Sequence, residues 1–263
     1  MSFLNAFKNW IHSKSMGTLS QPTPLNQPRT GKGQQTKAKL LRTALDAFAE
    51  DGYQAASMRA IALRAGVSLS HAYYYFGSKE DIVLELLIAL RTEQFEICSA
   101  QLDEGNTLEA NIRIVFDASV QVMEKYHDFG PSFLKVLLSR DLENSELTQI
   151  EMSLWESVVV GARPLPPLAI RRDLPRFLWL LSRQIFSTWA YDSSPNQRRS
   201  RSLMRSIAPV IGKFTILCRL PVVRSLFEDV LSLMDSGAGS IQERTTSTVE
   251  SASEHRSSRA KAS

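Results

Sequence analysis

The chain has 263 residues, 43% of them hydrophobic, which is enough for a sizeable core in one large domain or two smaller ones. Its formal net charge of +4 is compatible with nucleic acid binding but does not establish it. The two cysteines are too far apart in sequence for a disulfide framework, and the four histidines show no metal-ligand spacing. No apolar run approaches the roughly 20 residues that span a bilayer. Composition therefore argues against a disulfide-rich secreted protein, a metal site and a transmembrane segment.

The first twelve residues form a separate amphipathic segment. Its apolar side chains fall on one face of a helix, which suits a membrane surface or a docking partner: Phe3, Leu4, Phe7, Trp10 and Ile11. The segment lacks the continuous apolar stretch and the cleavage site of a signal peptide. Two interpretations stay open, a surface-binding helix or an extension that precedes a true translation start at Met16.

Polar sequence follows this segment and also ends the chain. Residues 13–36 are rich in Ser, Thr, Gln, Pro and Gly, and residues 236–263 contain almost no large apolar side chain. Neither stretch can bury a core. The first therefore predicts a flexible arm or linker, and the second predicts a disordered tail.

The sequence between these ends predicts an all-α fold. Apolar residues recur at helical spacing from Thr36 to Phe48, and Gly52 ends that helix. The next three helices are predicted to start at Ser57, Ser68 and Ser78, because serine is a favoured N-cap. Further helices are predicted at 106–127, 131–140, 144–161, 170–191 and 195–218 and from Pro221, with a proline-rich loop at 163–167.

Residues 57–76 carry the most informative pattern, two short helices joined by a tight turn. Ala62 is small enough to let the second helix cross closely over the first, and Gly66 can take the positive φ that the turn needs. Val67 fills the angle between the helices, and Ser68 caps the second one. Two helices that cross in this way form the unit whose second member enters a DNA major groove.

The second helix of this pair is too polar to be a buried helix. Four of its side chains carry groups that are costly in a core but useful against phosphates and base edges: Ser70, His71, Tyr73 and Tyr74. Lys79 begins the next helix, where backbone N–H groups already favour a phosphate. Between Arg29 and Glu80 the chain holds eight basic and four acidic residues, a balance that equals its whole net charge of +4. The segment therefore predicts DNA binding.

The run from Lys39 to Leu87 resembles the DNA-binding domain of the TetR family of one-component regulators. Three ordered motifs carry the resemblance: Ala47-Phe48-x-x-x-Gly52-Tyr53, Ile61-Ala62-x-x-Ala65-Gly66-Val67-Ser68 and Tyr73-x-Tyr75-Phe76-x-Ser78-Lys79-Glu80. The match covers about a fifth of the chain closely, and the helical remainder agrees with the family's larger C-terminal domain in architecture only. Ala72 departs from the pattern, which usually has a larger aliphatic residue there. We expect the small residue to leave the core slightly underfilled or to set the recognition helix closer.

The resemblance implies a role for individual residues of the segment. Ser57 and Arg59 would approach phosphate and groove, Lys79 would contact a phosphate, and Tyr75 and Phe76 would pack inward. The DNA-binding residues so implied are Lys37, Ser57, Arg59, Ser68, Leu69, Ser70, His71, Tyr73, Tyr74 and Lys79. The family pattern also implies a homodimer that reads a palindromic operator in double-stranded DNA.

Composition predicts a flexible N-terminal extension (1–34) and a disordered tail (236–263), and the resemblance divides the rest into a helix-turn-helix DNA-binding domain (35–82) and a ligand-binding and dimerisation domain (83–235). The aromatic residues of the third region suit core packing, and some of them alternatively line an effector cavity. The candidates for that cavity are Phe95, Phe116, Met123, Phe133, Trp155 and Phe186. The candidates for the dimer interface are Phe177, Leu181, Trp189 and Ile207.

We therefore expect a cytoplasmic homodimeric repressor that an unknown small molecule releases from its operator. Neither His71 nor His127 is part of a nucleophile motif, so we expect no enzyme, no metal and no cofactor. Two alternatives stay open. The chain is a ligand-binding protein that keeps the helix-turn-helix as a scaffold, or it adds a membrane-surface role through residues 3–11.

Overall fold

The computed structural model describes residues 31–102, 105–139 and 145–233. The predicted surface helix at residues 3–11 and the predicted tail at 236–263 lie outside these ranges. All regular structure within the described residues is helical, which confirms the predicted all-α class. No helix in this part of the chain is long and apolar enough to cross a membrane.

Four helices build the N-terminal part: α1 (Gly31–Asp51), α2 (Met58–Ala65), α3 (Leu69–Tyr75) and α4 (Lys79–Ser99). The start predicted at Thr36 was wrong, as was the flexible character of residues 31–36, because helix α1 begins at Gly31. Glycines at 31 and 33 weaken the helical signal, yet a helix propagates cheaply from a long apolar segment once it is nucleated. Gly52, with φ 82°, follows α1 as predicted.

The three serine caps are confirmed. The hydroxyl oxygen of Ser57 accepts a hydrogen bond from the Ala60 N–H at 3.2 Å, and that of Ser68 accepts one from the His71 N–H at 3.1 Å. Ser78 accepts from the Asp81 N–H at 3.2 Å and donates to the Asp81 carboxylate at 3.0 Å. Each cap satisfies an N–H group that the first turn of a helix leaves without a partner.

The remaining helices are α5 (Leu108–Met123), α6 (Gly130–Ser139), α7 (Glu146–Gly161), α8 (Leu168–Arg171), α9 (Leu174–Ala190), α10 (Arg198–Leu217) and α11 (221–233). Short 3₁₀ turns cover Glu124–Phe129 and Pro195–Gln197. The predicted helix at 106–127 therefore ends early, since Tyr126 leaves helical geometry at φ −110°. The helix predicted at 170–191 is divided into α8 and α9, and the loop at 163–167 is confirmed.

Helix α4 is the centre of the molecule and positions both candidate sites. Its N-terminal part packs against α1, and its length packs against α5, α6 and α7. Helix α9 packs against α6, α7 and α10, and α10 packs against α5. Gly130 permits the close approach of α6 to α9, because a Cβ there would lie 2.8 Å from the Cα of Ala190. One continuous core therefore joins the helix-turn-helix to the helical domain behind it.

Candidate DNA interface and interior cavity

The turn between α2 and α3 has the geometry that the sequence predicts. Gly66 lies in the left-handed region at φ 67°, and its N–H donates to the Leu63 carbonyl at 3.1 Å. The Val67 N–H donates to the Ala62 carbonyl at 3.0 Å and completes the C-terminal cap. Ala62, which is 2% exposed, lies at the crossing of the helices. These features fix α3 at a defined angle to α2.

Helix α3 is divided into an apolar inner face and a polar outer face. Ala72 and Tyr75 are buried, as is Phe76, which follows the helix, and this confirms the inward packing of Tyr75 and Phe76. The outer side chains are all exposed, and together with those at the start of α2 they form what we call the outer surface: Ser57, Arg59, Ser68, Leu69, Ser70, His71, Tyr73 and Tyr74. Leu69, Tyr73 and Tyr74 are 39%, 46% and 52% exposed.

The outer surface holds polar groups that the described part of the protein does not satisfy. Within that part, the side chains of Arg59, His71, Tyr73 and Tyr74 make no hydrogen bond and no ion pair. The His71 ring lies 5.1 Å from the Tyr75 ring, which restricts its orientation without occupying its nitrogens. Exposed tyrosine hydroxyls, an imidazole and a guanidinium are therefore presented together for contact with another molecule.

The sequence predicts that Lys79 contacts a DNA phosphate, but its ammonium is bonded to backbone carbonyls inside the domain. Its ammonium donates to the carbonyl oxygens of Tyr53 at 2.8 Å, Ala56 at 2.7 Å and Gln54 at 3.5 Å. It also lies 4.6 Å from the centroid of the Tyr53 ring. The ammonium thus fastens the loop between α1 and α2 to the start of α4. A phosphate contact by Lys79 would have to compete with these carbonyls, so that contact stays a prediction.

Lys37 is also engaged inside the protein. Its ammonium pairs with the Glu85 carboxylate at 2.8 Å and lies 5.6 Å from the Phe76 ring centroid. Arg64, in contrast to Arg59, is paired with the carboxylates of Glu50 and Asp51. Several of the basic residues that the sequence groups together therefore hold the domain together.

Lys39 is a surface cation that the sequence analysis did not single out. It is exposed, and its ammonium lies 3.8 Å from where a Cβ on Gly66 would stand. This places a positive charge directly at the turn that presents α3. The spacing of Lys39 along α1 gives no sign of this contact, because the turn approaches only after α1 and α2 have packed.

An interior cavity of about 40 Å³ lies between α4, α5, α7 and α9. Four of the six predicted pocket residues line it: Phe116, Met123, Trp155 and Phe186. Phe95 and Phe133 do not line it; Phe133 is fully buried in the core and stacks with Phe129, and Phe95 packs against the core. The assignment of those two residues is therefore corrected. Both are apolar residues on helices that pack against the core. The sequence alone cannot distinguish an apolar side chain in the core from one that lines a cavity.

Polar residues that the sequence analysis missed form one wall of the cavity. Arg91 Nε donates to the Glu151 carboxylate at 3.0 Å, and Arg91 Nη1 donates to Gln94 at 2.7 Å and Ser119 at 3.2 Å. Behind this wall, Glu151 accepts from Trp179 Nε1 at 2.8 Å and lies 3.8 Å from Arg183. We call these six residues the ion cluster. Its members come from α4, α5, α7 and α9, so no local motif reveals it.

The cavity is connected to the helix-turn-helix through a chain of aromatic contacts. His127 Nε2 lies 2.9 Å from the carbonyl oxygen of Trp189, which lines the cavity. In the same 3₁₀ turn, the Phe129 ring is 6.2 Å from that of Phe48, and Phe48 is 5.1 Å from Tyr53. The hydroxyl of Tyr53 donates to Glu80 at 3.0 Å. These contacts run from the cavity wall to the loop that Lys79 holds.

Two of the four residues predicted at the dimer interface are used within the subunit. Trp189 is 2% exposed and lines the cavity, so its assignment to a dimer face is corrected. Phe177 lies 5.3 Å from Phe227 of α11 and packs against it. Leu181 and Ile207 are half-buried. The sequence analysis did not anticipate that α11 covers part of α9.

The described residues offer no arrangement for metal or thiol chemistry. No group of three or more His, Cys, Asp or Glu in the described ranges could hold a metal ion. Burial raises the pKa of the Cys98 thiol to about 11, and burial likewise raises the pKa of Cys218. Both thiols therefore stay protonated and behave as small apolar groups.

Comparison with known proteins points to one family. The family model described as "Bacterial regulatory proteins, tetR family" matches residues 40–86. The transcriptional repressor KstR2 from Rhodococcus jostii is 34% identical over 114 residues, 41% of this chain and 55% of that protein. The transcriptional regulator BetI from Rhizobium meliloti is 33% identical over 144 residues, 53% of this chain and 70% of that protein.

These alignments set limits on what is shared. The chain spans about half the length of the first curated relatives that it matches, 55% and 56%. Among solved structures, that of the transcriptional regulator FadR from Bacillus subtilis in complex with stearoyl-CoA is 18% identical, with a TM-score of 0.49, over 64% of this chain and 95% of that one. The BetI alignment and the family model together make this chain a member of the TetR family of transcriptional regulators.

Proposed function

We propose that the protein is a homodimeric repressor that binds a palindromic operator through α3 and leaves it when a small molecule occupies the interior cavity. It acts in the cytoplasm, where the operator is. The observation that carries this proposal is the outer surface, where Arg59, His71, Tyr73 and Tyr74 are exposed together and their side chains form no hydrogen bond or ion pair with the described residues. A helix with one buried apolar face and one such polar face suits insertion into a major groove.

The DNA part of the proposal is tested by binding measurements on the full chain. Fluorescence anisotropy against the DNA upstream of its own coding region, and selection from random DNA, should both give salt-sensitive binding to an inverted repeat. His71→Ala should change which sequences are selected, because His71 is exposed on α3 and its loss leaves the core intact. Failure to select any inverted repeat at low salt would contradict the proposal and favour the ligand-binding alternative.

The dimer is proposed to form along α10. Leu203, Val210 and Leu217 are 38%, 58% and 52% exposed and follow one another at intervals of seven residues. The half-buried Ile207 and Phe214 lie between them, so the spacing alternates between four and three, as in a helix-packing seam. An exposed apolar stripe of this kind on a regulator suits a twofold contact with a second copy.

The dimer is tested by sedimentation. Val210→Glu would place a carboxylate in the centre of the stripe, so the variant should sediment as a monomer and lose operator binding. Arg205→Glu changes charge on the same helix at an exposed position away from the stripe and should stay dimeric. A dimeric Val210→Glu protein would contradict the proposed seam.

The effector part of the proposal rests on the position of α4. This helix begins at Lys79, against the loop before α2, and passes Arg91 at the cavity wall. Occupation of the cavity would move α4 and the Trp189–His127 contact, and both lead back to the helix-turn-helix. A ligand can release DNA only if it binds the released conformation more tightly than the DNA-bound one. The His127→Phe variant should therefore keep operator binding but lose part of its response to effector.

A further inference from the structure

The ion cluster carries an excess of positive charge; of its charged members, Arg91 and Glu151 line the cavity and Arg183 lies behind them. Arg91, Glu151 and Arg183 bring two guanidinium groups and one carboxylate together, and their side chains are 11%, 11% and 23% exposed. Among the described residues, Glu151 is the only acid that pairs with either arginine. A charge that is largely removed from water is costly unless it is paired. The two guanidinium groups therefore share one carboxylate, and Arg183 is further held by the Leu137 carbonyl at 3.3 Å and by the Trp179 ring at 5.1 Å.

The donors of Arg91 are only partly used. Nε and Nη1 donate to Glu151, Gln94 and Ser119, whereas Nη2 donates to none of the described residues. Arg183 Nη1 lies 3.8 Å from Glu151, beyond hydrogen-bond length. Glu151 is also held by Trp179 Nε1 at 2.8 Å, so it stays in place if Arg91 turns toward a ligand. Arg91 can then bind a second carboxylate while Glu151 remains with Arg183 and Trp179.

The other walls of the cavity are apolar and adaptable. Phe116, Trp155 and Phe186 supply aromatic surface, and Met123 and Met204 supply flexible side chains. The volume of about 40 Å³ holds roughly three water molecules, which is close to the size of a carboxylate group with its first carbon. A longer apolar body would need the two methionines to move aside.

We infer that the cavity binds a small organic monocarboxylate, with its carboxylate on Arg91 and its apolar body among the aromatic residues opposite. This inference rests on the proposed function, because it names the class of effector for the same cavity. One carboxylate makes the ion cluster neutral, with two positive and two negative groups. The guanidinium of Arg91 also gives a geometric preference, since its planar donors match the two oxygens of a carboxylate.

The test compares acids with their neutral counterparts on the full-length protein. Benzoate, phenylacetate and hexanoate are each titrated beside the corresponding primary amide, and binding is followed by calorimetry and by tryptophan fluorescence, since Trp155 and Trp189 line the cavity. At least one acid should bind about tenfold more tightly than its amide. If no acid in this set binds, or if amides bind as tightly as acids, the inference is wrong.

Two variants are expected to change acid binding in opposite directions, which separates ligand recognition from a general loss of structure. Arg91→Gln should abolish the preference for acid over amide. Glu151→Gln should strengthen acid binding several-fold, because it removes the carboxylate that competes for the guanidinium groups. Arg113→Gln is the matched control, since Arg113 pairs with Glu109 at 2.8 Å on the surface of α5 and should leave the preference unchanged. If Arg91→Gln does not fold, the Glu151→Gln result and the comparison of acids with amides on the wild-type protein still test whether the cavity binds a carboxylate.

Operator binding measured on the same preparations distinguishes the two proposals. Selective acid binding without any change in operator affinity would support the ligand class but contradict effector release. Operator binding with no acid selectivity would contradict the ligand class and leave the DNA-binding proposal intact.

Discussion

The outer surface of α3 and the ion cluster of the helical domain use polar side chains in opposite ways. On α3, His71, Tyr73 and Tyr74 are exposed and make no hydrogen bond with the described residues. In the ion cluster, Arg91 and Glu151 are largely buried and are bonded to each other and to several neighbours. Exposed polar groups are hydrated and are available to a partner, whereas polar groups in the interior must be paired within the fold.

Lys79 shows that sequence position alone does not decide between these two uses. It lies only four residues after the end of α3, yet its ammonium points inward to the carbonyls of Tyr53 and Ala56. Lys39 is far from α3 in sequence, yet its ammonium lies at the turn before that helix. The distinction between surface cation and structural cation is made by packing, and the predictions for Lys79, Lys39, Arg59 and Lys37 test it.

The largest effect is expected for Lys79→Met. The change leaves the carbonyls of Tyr53 and Ala56 without their charged donor, which should lower the free energy of unfolding by about 3 kcal/mol. Urea denaturation measures the loss, and amide hydrogen exchange should show it first at residues 52–58. Operator binding should fall at every salt concentration, because the loop that positions α2 is loosened.

Lys39→Met is the matched control for that variant. Lys39 is exposed, so its unfolding free energy should stay within about 0.5 kcal/mol of the wild-type value. If Lys79→Met were as stable as Lys39→Met and lost only its DNA affinity, Lys79 would belong to the outer surface, as the sequence pattern first suggested.

The second effect concerns Asp192, a buried carboxylate that joins the end of α9 to the start of α10. It accepts hydrogen bonds from the N–H and hydroxyl of Ser194, at 3.0 and 2.6 Å, and from those of Ser200, at 2.8 and 2.7 Å. Asp192→Asn replaces one acceptor oxygen by a donor, so the bond from a backbone N–H is lost and the serine hydroxyl on that side must change from donor to acceptor. We expect a loss of about 2 kcal/mol at neutral pH.

The pH dependence of this loss identifies its cause. Burial raises the pKa of Asp192, but the hydrogen bonds from Ser194 and Ser200 outweigh it and hold the pKa well below its usual range. A lowered pKa in the folded state means that the carboxylate stabilises the protein fully above the unfolded-state pKa of about 4. That contribution is lost as the pH falls below 4 toward the folded-state value. The stability difference between wild type and Asp192→Asn should therefore shrink in acid; a constant difference would contradict the assignment.

Features that depend on neighbouring residues could be predicted from the sequence, whereas features that depend on distant packing could not. Caps and turns depend on residues a few positions apart, so Ser57, Gly66 and Ser68 could be assigned from local chemistry. The start of α1 was predicted wrongly, because helix propagation through Gly31 and Gly33 depends on the rest of the helix.

The interior cavity could be predicted only in part, for a physical reason. Phe116 and Phe133 look alike in sequence, yet only Phe116 lines the cavity. Which apolar side chain meets a void depends on how α4, α5, α7 and α9 pack together. Likewise, the ion cluster joins Arg91 to a glutamate 60 residues away, a separation over which no periodicity carries information.

A smaller effect on the free energy of unfolding is expected at Gly66, in the turn between α2 and α3. Gly66 has φ 67°, and a Cβ there would meet only the Lys39 ammonium at 3.8 Å, so space is available and only the backbone conformation opposes a side chain. Gly66→Ala should therefore cost about 1 kcal/mol, and Gly66→Asn less, because asparagine tolerates the left-handed region better. Thermal unfolding of the two variants gives the order. A loss well above 2 kcal/mol for alanine would show that steric contact, not backbone conformation, governs the turn.

The smallest effects on stability are expected at Lys39, Arg59 and Lys37. These three residues also separate surface cations from structural cations most clearly. Lys39→Ala and Arg59→Ala should each lower the slope of log affinity against log salt by about one, with almost no change in unfolding. Lys37→Ala should leave the slope nearly unchanged, because its ammonium already pairs with Glu85 at 2.8 Å. Anisotropy titrations of one operator at several salt concentrations measure all three. An equal decrease in slope for Lys37 and Lys39 would mean that DNA breaks the Lys37–Glu85 pair, and the division between surface and structural cations would then hold only for the protein without DNA.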